Sequence, residues 1–208
     1  MNGKSTLFQT PAQHLIAGLV RGSEDIEFYG LPLTKEVEWF QGGIKYAFKD
    51  LSPRNFLMLK NAYDCDKSAK KLLKNMISSE GKIIALSVTR QVELYTYYCY
   101  GDLDNTPDIK DGALQPAENY RHERDCISLQ FDSKDITING IPLKPREIRM
   151  IDSFSQEDKD EIVAIELGIV RNTLNQHKKS LFQKARVASK IGLMVKVFEE
   201  RILIGRAI

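Results

Sequence analysis

Chemistry in this chain would have to come from a few clusters. From Leu167 to Lys190 the sequence reads LGIVRNTLNQHKKSLFQKARVASK, and between Arg171 and Lys190 it holds six Lys or Arg and no Asp or Glu. The ordinary account of such a run is a solvated helix face, and only its surroundings can argue for more. RHERD, at residues 121–125, brings His122, Glu123 and Asp125 together as acid-base or metal chemistry would need, but inside a polar loop, where a solvated cluster is expected. DLDNTPDIKDGA, from Asp102, opens like a calcium loop, yet Pro107 stands where the turn needs glycine and Ala113 where the closing glutamate belongs. Cys65, Cys99 and Cys126 are far apart, with no histidine at ligand spacing, and are read as free buried thiols. Tyr95, Tyr97, Tyr98 and Tyr100 are read as core and sheet-face residues, not a cofactor cage. With neither a phosphate-binding glycine loop nor a serine-histidine arrangement, we expect no enzyme and no cofactor.

The elements that must carry these residues follow from periodicity. The spacing of Leu15, Ile16, Leu19 and Val20 predicts a short helix over Thr10 to Arg21, stopped by Gly22. IEFYG within Asp25 to Leu33 and IKYAF at Ile44 to Phe48 predict strands, with a helix from Thr34 to Phe40 between them. Ser52 and Pro53 begin one long helix or two consecutive ones to Ser78. Lys82 to Gly101, rich in β-branched and aromatic residues, predicts two strands, and Asp102 to Arg124 a long exposed loop. CISLQFDSKDITINGIPL predicts a hairpin turning at Asp132 to Lys134. After it the pattern is helical to the end, giving four helices in about 60 residues.

At 208 residues, 42% of them apolar, the chain can hold one large or two small packed cores. No window approaches the roughly 18 apolar residues of a membrane span, and MNGKSTLFQT has no apolar run after its lysine, so we expect a cytoplasmic protein without membrane contact. The net charge of +2 hides an asymmetry: Leu143 to Ile208 carries 13 basic and 9 acidic residues, whereas the first 142 carry 17 and 19.

Ala164, Gly168 and Leu174 have the spacing of a helix-turn-helix unit, with a small residue where the helices touch, glycine where the turn takes positive φ, and an apolar lock on the second helix. With LKPREIRMI from Leu143, VAIELGI from Val163, TLNQH from Thr173 and Lys184, the last 65 or so residues resemble the LuxR-type helix-turn-helix domain of bacterial transcription regulators.

The resemblance implies that residues 171–186 form a recognition helix in the major groove and that the domain works as a dimer on two half-sites. Arg171, Lys178, Lys179, Lys184, Arg186 and Lys190 would then meet phosphates and release counterions, while the amides of Asn172, Asn175 and Gln176 suit adenine edges. By position in the motif, Asn175, Gln176 and Lys179 would read bases, and Thr173, Lys178 and Lys184 would hold the backbone. Departures from the pattern are Val170 in place of a capping Ser or Thr, Asn175 in place of lysine, Ala185-Arg186 in place of Leu-Gly, and apolar Ile162 and Ile165 at polar positions. His177 is expected to pack or to face phosphate, and Pro145 and Glu147 to start and cap the first helix. For Ile162 and Ile165, burial against the N-terminal part and an interaction surface both stay open.

The resulting expectation is an α+β chain: a mixed α/β sensor-like domain of PAS-like kind over residues 1–139, then an all-α four-helix helix-turn-helix domain over 142–208. Its partners would be double-stranded DNA, RNA polymerase, a second copy of the chain, and a small-molecule or protein signal. Two rival readings keep the same elements: a sigma-factor-like polymerase-binding module, and an enzyme or protein-docking module whose tail is an interaction surface.

Overall fold

The computed structural model describes residues 16–76, 81 and 83–202. Of the helix expected over Thr10 to Arg21, the part before Ile16 lies outside the described residues, and the remainder forms turns. The first regular elements are a three-stranded antiparallel meander: β1 (Glu27–Gly30), β2 (Val37–Gln41) and β3 (Ile44–Ala47). β2 occupies the stretch expected to be helical. Val37 and Trp39 point inward while Glu38 and Phe40 are half-buried, a period of two, and the glycine pair Gly42-Gly43, at φ 60° and 87°, closes the hairpin on Gln41 and Ile44.

Two helices follow, α1 (Pro53–Cys65) and α2 (Lys67–Lys74). The Asn55 N–H donates to Ser52 Oγ at the first start, and the Ala69 N–H to the Asp66 carboxylate at the second. Residues 77–78 of the helix expected to Ser78 lie outside the described residues.

The two strands expected over Lys82 to Gly101 are instead one helix, α3 (Val88–Tyr100), capped by Ser87. From Leu94 to Tyr100 every residue is buried. A stretch of helix enclosed on all sides shows no polar face and hence no helical periodicity in its sequence, and in α3 this holds for its second half. Its four tyrosines belong to the core, as expected, but to a helix and not to a sheet face. β1 crosses the end of α3 so closely that a Cβ on Gly30 would lie 2.5 Å from the Tyr97 ring.

Residues 102–124 are not an exposed loop. They contain a two-stranded ladder, β4 (Ile109–Lys110) with β5 (Ala113–Leu114), and bury Asp108 and Arg121. Arg121 therefore departs from the solvated cluster expected at RHERD, and His122 is half-buried with Nδ1 2.7 Å from the Tyr97 hydroxyl. All three thiols are free, but Cys65 is exposed.

The hairpin expected around Asp132 is displaced. Asp66 draws that turn onto the start of α2 by accepting the N–H groups of Asp132 (3.1 Å) and Ser133 (2.9 Å), and a 3-10 turn fills residues 127–130. The ladder forms one step later, β6 (Thr137–Ile138) against β7 (Ile141–Pro142), around Asn139-Gly140 at φ 51° and 71°.

Four helices complete the described chain: α4 (Pro145–Ser155), α5 (Asp160–Glu166), α6 (Arg171–Ala185) and α7 (Lys190–Glu199). Pro145 occupies the first turn of α4, and Glu147 accepts the Lys144 N–H at 2.7 Å. The architecture is α+β, and among the described residues no helix is long and apolar enough to cross a membrane.

Buried apolar residues gather in two clusters. One lies between the meander and α1–α3. The other lies among α4–α7 and also takes in Ile136 and Ile138, ahead of the expected boundary at 139–142. The fully buried Arg121 bridges the two, donating to both Asp152 carboxylate oxygens (3.0 and 2.6 Å) and to the Ile202 carbonyl (2.9 Å).

Candidate nucleic-acid interface

α5 and α6 are joined by residues 167–170. Gly168 takes φ 63°, a conformation that an L side chain resists, and Ala164 and Leu174 are buried where the two helices meet. The turn is closed by the Ile169 N–H donating to the Ala164 carbonyl at 3.0 Å. Val170 stands at the N-cap of α6, and no side chain caps that end.

Leu174, Leu181 and Ala185 form the inward stripe of α6. The opposite face carries Arg171, Asn172, Asn175, Gln176, Lys179 and Arg186, all exposed, together with Ser180 and Gln183, which motif reasoning missed although they repeat Gln176 and Lys179 at a four-residue step. No acidic residue lies on this face. Thr173 and His177 are half-buried at its margin, with His177 Nε2 3.3 Å from an Arg146 nitrogen.

The six cations divide by their partners. Lys184 is nearly enclosed, its ammonium 2.6 Å from the Glu147 carboxylate and 2.9 Å from the Pro142 carbonyl. Lys178 reaches back to Asp160 at 2.7 Å and lies over the Phe154 ring. Lys190 lies over the same ring and donates to the Asp158 carbonyl. Arg171 pairs with Glu161 at 3.0 Å, but both side chains are more than half exposed. Lys179 and Arg186 make no ion pair among the described residues. Thus Lys178, Lys184 and Lys190 are held by the fold, whereas Arg171, Lys179 and Arg186 project from it.

Arg186 ends α6 at φ 57°, in the left-handed region that a glycine would take without strain. Just outside α6, the Arg124 guanidinium and the Ser153 hydroxyl, at 3.0 and 2.5 Å, hold the Glu166 carboxyl below the usual carboxylate range. Ile162 and Ile165 are 48% and 75% exposed, so they are not buried against the N-terminal part. On α7, Ile191, Val195 and Phe198 stand out at steps of four and three residues, an apolar stripe with no cover from the described chain.

Comparison with known protein families, curated proteins and solved structures finds no match to this chain. The reading of α6 therefore rests on its geometry and on the residues that compose it.

Proposed function

We propose that the chain is a cytoplasmic bacterial transcription regulator of LuxR-type kind, in which α6 enters the major groove of double-stranded DNA and the part built on the meander and α1–α3 senses a ligand or partner. The observation that carries this reading is the acid-free exposed face of α6, held outward by the Ala164-Gly168-Leu174 junction. Arg171, Lys179 and Arg186 supply the attraction for phosphates, and Asn175 and Gln176 the amides that read base edges.

In this reading Lys178 and Lys184 act chiefly by positioning α6 and Lys190 by positioning the start of α7, since their ammonium groups already have partners within the protein. The uncapped start of α6 is open to a DNA phosphate, which would satisfy its free N–H groups. Homodimerisation would cover Ile191, Val195 and Phe198, whose exposure favours an apolar partner surface. RNA polymerase is the further protein partner, with exposed Ile162 and Ile165 available to it.

The test is binding to random-sequence duplex across a salt series, followed by selection of the bound sequences. Affinity that falls steeply with salt, together with an enriched sequence motif, is the expected result. Salt-insensitive association, or binding to protein partners alone, would favour a docking module instead.

A further inference from the structure

Outside α6, three carboxylates from separate segments converge. Glu27 belongs to β1, Asp108 precedes β4 and Glu118 follows β5, and one carboxylate oxygen of each lies within 4.8 Å of the other two. Each group is fixed by a backbone N–H on one oxygen: Glu27 accepts from Asp104 at 2.7 Å, Asp108 from Phe28 at 2.7 Å, and Glu118 from Asp102 at 2.9 Å. One oxygen of each is left for another partner. Glu27 is fully enclosed, and its Oε2 has no hydrogen-bond partner at all.

An enclosed carboxylate oxygen without a donor is costly, and three ionised carboxylates this close repel one another. The cations nearby do not resolve this, because Arg201 is committed to Asp102 and to the Leu103 carbonyl, and the buried Lys134 donates to the Tyr98 and Tyr120 carbonyls. Asp108 and Glu118 line a cavity of about 320 Å³ together with Glu200 and Arg201, a route by which an ion and its water could enter.

We propose that Glu27, Asp108 and Glu118 form a binding site for a hard divalent cation, Mg2+ or Mn2+, held by one oxygen from each carboxylate and completed by water from the cavity. The donor set is all oxygen, which suits a hard cation better than zinc or copper with their preference for nitrogen and sulfur. Since every carboxylate already gives one oxygen to a backbone N–H, ligation through the other oxygen alone is favoured, and an octahedral ion that retains several waters fits better than Ca2+ with its six to eight ligands. The bound ion would fasten β1 to residues 102–118. This proposal does not depend on the reading of α6.

The experiment uses the whole chain, stripped with chelator and titrated with Mn2+ at pH 8 under electron paramagnetic resonance. One saturable site per chain is expected, with Mg2+ competing better than Ca2+ and the melting temperature rising with ion. Glu118→Gln, at the half-exposed corner of the cluster, should weaken Mn2+ binding by about tenfold or more, whereas Glu123→Gln on the surface should leave it unchanged. The proposal is overturned if the native chain shows no saturable site, if Ca2+ is preferred, or if Glu118→Gln binds like the native chain. It is equally overturned if Glu27→Gln and Glu118→Gln raise the melting temperature alike with and without ion, since the carboxyl groups would then be sharing protons.

Discussion

If α6 is the DNA-contacting helix, its salt dependence can be worked out from the ion pairs. Three cations project from each copy, Lys179 and Arg186 without an ion pair among the described residues and Arg171 in an exposed pair with Glu161, and three are held by the fold. At about 0.9 per neutralised phosphate, a dimer presenting six projecting cations gives a slope of log K on log salt near −5, against roughly −11 if all six cations of each copy met phosphate. Lys179→Ala removes one contact per copy, so the slope should become shallower by about 2. Fluorescence anisotropy on a labelled random-sequence duplex between 50 and 200 mM salt measures both values. Lys184→Ala should leave the slope nearly unchanged and appear as lost stability, because that ammonium serves Glu147 and Pro142. An unchanged slope in Lys179→Ala, or a slope near −11 in the native chain, would refute the division of the cations into projecting and held sets.

Other substitutions probe separate features. Arg186→Gly removes a side chain from the left-handed region and should stabilise the chain by about 1 kcal/mol in urea unfolding while weakening duplex binding; destabilisation would show that Arg186 makes a structural contact. Asp152→Asn leaves the enclosed Arg121 guanidinium without its counter-charge and should cost roughly 3–5 kcal/mol, most of it recovered when Arg121→Met is combined with Asp152→Leu; a loss below 1 kcal/mol would contradict the burial of the pair. If α7 lines the proposed dimer interface, Phe198→Asp should shift the sedimentation of the chain toward monomer and weaken duplex binding with it, and an unchanged sedimentation profile would remove α7 from that proposal. In chelator, stability should fall as pH rises from about 5 to about 8. Burial lifts the Glu27 carboxyl from the usual 4.5 to about 8, so across this window the folded chain keeps a proton that the unfolded chain releases. The loss is of the order of a few kcal/mol, complete above pH 8 and absent below about 4.5, and a stability that climbs over the same range would be the opposite sign.

What could be read from the sequence was what depended on near neighbours. The junction of α5 and α6 was legible because Ala164, Gly168 and Leu174 lie within one supersecondary unit, and each residue type answers a local steric demand. α1 and α2 were legible from Ser52, Pro53 and the leucine spacing, although Asp66 as the second cap was not singled out. α3 was misread because burial on all sides erases the polar face that marks a helix, leaving only β-like composition. The hairpin was placed too early because Asp132-Ser133-Lys134 looks like a turn and is one, but its N–H groups go to Asp66, some 66 residues away. Asn139-Gly140 was the stronger local signal. Glu27, Asp108 and Glu118 carry no spacing that could have drawn attention to them, since only the packing of β1 beside residues 102–118 brings them together. Likewise nothing local marks Lys178 and Lys184 as tethered; their acids, Asp160 and Glu147, come from other helices.

The bridge built by Arg121 bears on how the tail can be studied in isolation. A fragment starting at Pro142 would inherit an enclosed Asp152 stripped of its guanidinium, forfeit Ile136 and Ile138 from beneath its helices, and sever the Asn119 amide from the Glu200 carbonyl. Such a fragment would expose raw apolar surface and aggregate, whatever the merits of α6. Dissection should therefore begin upstream of Asn119, or be replaced by substitutions in the intact polypeptide.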